Sequence, residues 1–127
     1  MASELRVNTL KDAAGNNSIA TSFVAGGSAK AWINFNGTGT VAIRDSFNIA
    51  SLSDAGTGLY NCAISSDFTN ANFSTTGAAG ENDDSGGNRS LGLRAKTSGT
   101  QNVRGFADGV SAQDLPELCF HCMGDLA

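Results

Sequence analysis

The chain has 127 residues, 16% of them charged, and a formal net charge of −4. One domain of this length buries roughly two-thirds of its unfolded surface. The low charge, against roughly 25% in an average soluble protein, excludes a disordered polyelectrolyte. The eight Lys and Arg residues form no basic run, which argues against nucleic-acid binding by phosphate neutralisation.

No apolar stretch is long enough to span a bilayer, so no membrane insertion is expected. Met1-Ala2-Ser3-Glu4 lacks the basic and apolar regions of a signal peptide. The expectation is a protein kept in a cytosol, with Cys62, Cys119 and Cys122 as free thiols, because an odd count does not make a disulfide framework. Sequons at Asn16, Asn36, Asn72 and Asn88 are then chance products of Asn-rich turns.

Short apolar runs alternate with Gly, Asn, Asp and Ser punctuation, the pattern of a β-sandwich or barrel. A strand is predicted over Glu4–Lys11, followed by the turn-rich stretch Asp12–Asn17 and a connector over Ile19–Gly27. The next strand covers Lys30–Asn36, and Asn36-Gly37-Thr38-Gly39 supplies the positive φ angles of a tight hairpin. The return strand carries Val41 and Ile43, is interrupted at Arg44-Asp45-Ser46, and continues with Phe47 and Ile49. After the turn Ser53–Gly58 comes Leu59–Ser65, with Tyr60, Cys62 and Ile64 on one face. Further strands are predicted at Ala71–Thr76, Ser90–Thr97, Gln101–Phe106 and Leu118–Met123, the last preceded by Pro116. Gly77–Asn88 reads as a long acidic loop. The expected core holds Trp32, Phe35, Ile43, Phe47, Tyr60 and Phe73. A lone Trp in an apolar strand is more often core than an exposed sugar platform.

The words Lys30–Ile49 resemble a module of tail fibre proteins of marine phages, including those of cyanobacteria and of abundant ocean bacteria. Asp54-Ala-Gly-Thr-Gly-Leu-Tyr60 and Ala71-Asn-Phe-Ser74 are similar to the turn and short strand that follow in that module. Ser3–Asp12 followed by Gly15 resembles the segment that often precedes it, and Gly124-Asp125 its usual ending. The resemblance implies an all-β fold, a place in the virion and no catalytic residues. It departs in one respect: long fibre proteins embed the module beside shafts or other domains, and this chain contains little else.

Residues that invite a chemical reading give weak signals. Cys119-Phe120-His121-Cys122 lacks the second Cys/His pair of a zinc site, and on a strand Cys119 and His121 share a face while Cys122 points away. Counted from Glu81, a calcium loop places Gly86 correctly but has Gly92 where a bidentate Glu is needed. Asp45, Asp54 and Asp67 could meet as glycosidase carboxylates, although each sits near a turn, where Asp is common. No nucleophile elbow or phosphate-binding glycine loop is present, so no catalytic residue, metal or cofactor is expected.

The expected architecture is an antiparallel β-sandwich or jelly-roll-like module at 28–127, preceded by an extended N-terminal attachment strand and connector at 1–27. A core thin in large apolar residues, together with the resemblance, points to a homotrimer. Leu5, Val7 and Leu10 are expected to attach the chain to other virion proteins by strand addition. Glu81, Asp83, Asp84 and Arg89 are expected to contact the host surface, a glycan or protein, from the long loop. The functional expectation is a short tail-fibre-like virion component assembled in the host cytoplasm. A capsid decoration or head-fibre protein is the alternative, and a small polysaccharide-cleaving enzyme a remote one.

Overall fold

The computed structural model describes residues 3–81 and 87–127. They form antiparallel sheets, in agreement with the all-β expectation. One four-stranded sheet has the order β4 (Ala42–Phe47), β3 (Ala29–Asn36), β11 (Glu117–Met123), β7 (Ser74–Gly80). The other sheet runs β10 (Ser111–Ala112), β9 (Thr100–Ala107), β6 (Leu59–Ile64), β5 (Ile49–Gly56), with β8 (Arg89–Thr97) also paired to β9.

Period-two alternation builds the core between these sheets. Ala31, Ile33 and Phe35 of β3 and Leu118, Phe120 and Cys122 of β11 face Tyr60, Cys62 and Ile64 of β6 and Val103 of β9. Phe68, Phe73 and Leu115 close it from the connections. Gln101, the one polar residue fully inside among the described residues, accepts a 2.8 Å bond from the Thr75 hydroxyl and donates one of 2.8 Å to the Asn102 carbonyl. These bonds offset its desolvation.

The fully buried strand residues of this core come from β3, β6, β9 and β11, whereas Ile49 and Leu52 of β5, Ala79 of β7 and Leu91 of β8 pack against it only partly buried. No residue of β4, β5, β7 or β8 is fully buried. β4 and β5 are also the outer strands of their sheets, so their far edges present unpaired backbone groups.

Three of the six expected core residues are inside: Phe35, Tyr60 and Phe73. Trp32 and Phe47 are corrected to the outer face of the four-stranded sheet, 36% and 55% exposed. Trp32 lies one residue out of step with Ile33, and a single step along a strand reverses the face. Ile43, 39% exposed, is opposite Phe35 in register but sits on the uncovered edge strand.

Several boundaries also move. The N-terminal run is strand only over β1 (Thr9–Lys11), which pairs with β2 (Ser18–Ala20) across the Asp12–Asn17 turn. The expected connector contains the seven-residue helix α1 (Thr21–Gly27), no residue of which is buried. β4 passes through Arg44-Asp45-Ser46 and ends instead at Phe47, just before Asn48, whose φ is 58°. The Asn48 amide donates to the Lys30 and Ser66 carbonyls and accepts from the Ser66 N–H, fixing the point where the chain crosses between sheets. The hairpin after β3 places its positive φ at Gly39, not Gly37. β7 extends to Gly80, so the first residues of the expected loop are strand, and residues 82–86 lie outside the described ones.

Candidate functional site: the outer face of the four-stranded sheet

Strand register assembles two rows of side chains across this outer face. Phe47, Trp32, His121 and Thr76 form one; Asp45, Asn34, Cys119 and Ala78 form the next. Direct cross-strand neighbours have Cβ atoms roughly 4.5–5.5 Å apart, so each row is a contiguous strip. Trp32, His121, Asn34, Cys119, Thr76 and Ala78 line a groove of about 370 Å³. The small residues Thr76 and Ala78 on β7 keep its floor low beside the two rings.

A β-bulge between Asn34 and Phe35 leaves Arg44 as an additional residue on β4 and re-aims its side chain. The Arg44 guanidinium donates to Asn34 Oδ1 at 3.3 Å, to the Phe35 carbonyl at 3.3 Å and to the Pro116 carbonyl at 2.5 Å. Asn34 Nδ2 in turn donates to Glu117 Oε1 at 3.2 Å. Both ends of the Asn34 amide are therefore engaged, and its plane is fixed beside Trp32. Sequence reading singled out Trp32 but missed Asn34, Arg44 and Glu117. The only local signal was the polar interruption at Arg44-Asp45-Ser46, and its meaning depends on a bulge.

The Cys-Phe-His-Cys segment follows the strand geometry expected of it: Cys119 and His121 face the groove, whereas Cys122 is buried with Phe120. All three cysteines are free. Burial raises the Cys62 thiol to about 12, helped by the neighbouring Cys122, and burial raises Cys122 also. These are inert interior thiols rather than nucleophiles. Among the described residues, no group of three or more His, Cys, Asp or Glu side chains converges to hold a metal. Asp45 and Asp54 instead accept local backbone bonds, from Ser46 N–H and Gly56 N–H at 2.8 Å each, while Asp67 lies against Gly99.

The expected attachment residues are all exposed, Leu5 at 80%, Val7 at 38% and Leu10 at 44%, and Ile19, Phe23 and Val24 add to the same apolar arm. Of the expected host-contact residues, Asp83 and Asp84 lie outside the described residues. Glu81 and Arg89 form an ion pair with each other, and Arg89 also approaches Asp108 at 3.8 Å. Their side chains are only 22% and 15% exposed, so they brace the ends of β7 and β8 and offer little contact surface.

No family model, curated protein or solved structure matches this chain.

Proposed function

We propose that the chain is a non-catalytic structural module of a phage particle, a short tail-fibre-like appendage that works as a homotrimer. One observation carries this reading: a closed two-sheet core is surrounded by surface that a lone chain leaves uncovered. Four long strands have no fully buried residue, and the N-terminal arm exposes Leu5, Leu10, Ile19 and Phe23. Symmetric association would cover the edge strands and raise the buried fraction of a small domain. The arm suits strand addition to another virion protein. The likeness of Lys30–Ile49 to marine-phage tail fibre modules supports the same reading, in which the chain is assembled in the host cytoplasm and meets the host surface as its outer partner.

Light scattering tests the assembly. The expected mass is three times 12.9 kDa, and a stable monomer at micromolar concentration would count decisively against it. Antibody labelling of intact particles then tests location. Label at the tail supports the appendage, whereas label on the head assigns the chain to capsid decoration instead.

A further inference from the structure

We propose that the Trp32–His121 groove is a binding site for a neutral saccharide chain. The occupant is a surface polysaccharide whose pyranose ring lies on Trp32 while its hydroxyls reach the Asn34–Glu117–Arg44 network. The site is distinct from the long loop and from the N-terminal arm, and it does not depend on the virion reading.

The chemistry of the strip identifies the ligand. A pyranose ring has an apolar C–H face and an equatorial belt of hydroxyls. It therefore needs an aromatic plate next to fixed donors and acceptors. Trp32 is the plate, and Asn34, two residues along the same strand, lies roughly 6–7 Å from it along the chain. That spacing is about one sugar ring. Asn34 has a second amide hydrogen and a second oxygen lone pair beyond the bonds it makes to Glu117 and Arg44. Glu117 uses one carboxylate oxygen for Asn34 and has another to accept from a hydroxyl. Arg44 is pinned by three acceptors, so the network is ordered before any ligand arrives and binding costs little additional side-chain entropy. The groove, about 370 Å³, falls within the range of roughly 300–1,000 Å³ found for small-molecule sites.

Charge separates this occupant from others. At the Asn34 end of the strip Asp45 and Glu117 set two carboxylates against the guanidinium of Arg44, and the ammonium of Lys30, on the same face beyond Trp32, is turned to the Ala25 and Ser28 carbonyls, so phosphate, sulfate and uronate groups are disfavoured there. A second protein chain pressed on the strip would have to desolvate the three charges at the Asn34 end, and the centres of protein interfaces are depleted of them. A saccharide leaves them partly hydrated and supplies hydroxyl partners.

Trp32 is the only tryptophan, so its emission reports on this groove alone. The probes are cellotetraose, a β-1,4-galactotetraose and an α-mannotetraose, with dextran sulfate as the anionic control. Each is titrated to about 10 mM, because weak single-site affinities lie near 1 mM. Saturation-transfer NMR and Trp32 emission should both respond to at least one neutral tetrasaccharide and not to dextran sulfate. Trp32→Ala should abolish the NMR transfer. Glu117→Gln, which keeps the shape, should weaken it about tenfold, a loss of one charge-assisted hydrogen bond. Circular dichroism and thermal melting establish that both variants fold. The proposal is overturned if no neutral probe gives a response, if binding persists unchanged in Trp32→Ala, or if the sulfated polymer alone binds. A concentration-dependent blue shift of Trp32 without sugar also overturns it, by placing a second copy on the face. A monomer that binds sugar would refute the trimer and leave this site standing, whereas a trimer that binds none would do the reverse.

Discussion

Phe35 of the four-stranded sheet meets Tyr60 of the five-stranded sheet edge to face, with ring centroids 5.0 Å apart and planes at 70°. Both are fully buried, and the Tyr60 hydroxyl donates to the Gly37 carbonyl at 3.1 Å and lies 3.3 Å from Asp114 Oδ1. The pair joins the two sheets beside the Gly37 turn, near the end of β3 and the start of β6.

Phe35→Ala and Tyr60→Ala should each destabilise the fold by about 3–5 kcal/mol, the cost of an emptied aromatic site. Tyr60→Phe should cost about 1–2 kcal/mol, because it keeps the ring contact and leaves buried acceptors without their donor. Urea unfolding measures both. Equal losses for Tyr60→Phe and Tyr60→Ala would mean that the ring contact contributes nothing.

Gly37 and Gly39 should respond differently to Ala. A Cβ on Gly37 would fall 2.2 Å from the Tyr60 hydroxyl oxygen and 2.8 Å from Leu118 Cδ1, so Gly37→Ala overpacks the sandwich and should cost about 2–3 kcal/mol. Gly39 has open space around it but a φ of +61°. Gly39→Ala should cost only the left-handed backbone penalty of about 1–2 kcal/mol. A Tyr60→Leu background, which removes the clashing hydroxyl, should reduce the Gly37→Ala penalty and leave that of Gly39→Ala unchanged. Parallel unfolding curves of the double variants check this.

Trp32→Ala should cost about 1–2 kcal/mol, less than a buried aromatic, because the ring is partly in water. A loss as large as that of Phe35→Ala would require Trp32 to be covered in solution. Melting at two protein concentrations separates coverage by a second copy from coverage within the chain.

Alkaline pH should destabilise the protein through its buried acids. Cys62 is raised to about 12, and Cys122 and Tyr60 are also raised, each chiefly by burial. These groups remain protonated in the fold after the unfolded chain has begun to ionise near pH 8.5 for Cys. The unfolded state then binds fewer protons, so stability falls as pH rises. Each buried thiol should contribute a slope of about 1.4 kcal/mol per pH unit, from roughly pH 9 up to its folded value. Stability should be flat in this respect below pH 8. Replacing Cys62 with Ala should make the decline between pH 9 and 11 shallower, and an unchanged slope would exclude Cys62 as a source.

The thiols should also react in a fixed order. Cys119 is partly exposed on the groove, whereas Cys62 and Cys122 are buried. An alkylating reagent at pH 8 should modify one thiol in the native protein and three after denaturation, with peptide mapping placing the first label at Cys119. Native labelling of Cys62 ahead of Cys119 would contradict the sheet assignment of both.

Most of the strands were legible in the chain itself. Turn residues mark their ends, and the alternation Tyr60-Asn61-Cys62-Ala63-Ile64 already names the buried face of β6. The same rule separates Cys119 and His121 from Cys122 without a structure. The sequence by itself therefore determined the fold class and the pleat, since both follow from local backbone sterics and a two-residue period. Which face lies inside depends on what the other sheet presents, and only the tertiary structure decided that. Trp32 and Phe35 have opposite parity and could not both be core on a regular strand. Hydrophobicity alone favoured both, and the facing sheet selected Ile33 and Phe35. Gly37 looked like a turn glycine, but its small size serves the approach of Tyr60, which is 23 residues away. Arg44, Asn34 and Glu117 likewise converge only because β3 lies between β4 and β11. Contacts of this kind follow from strand order, and strand order is set by how the sheets pack, which no local window of sequence contains.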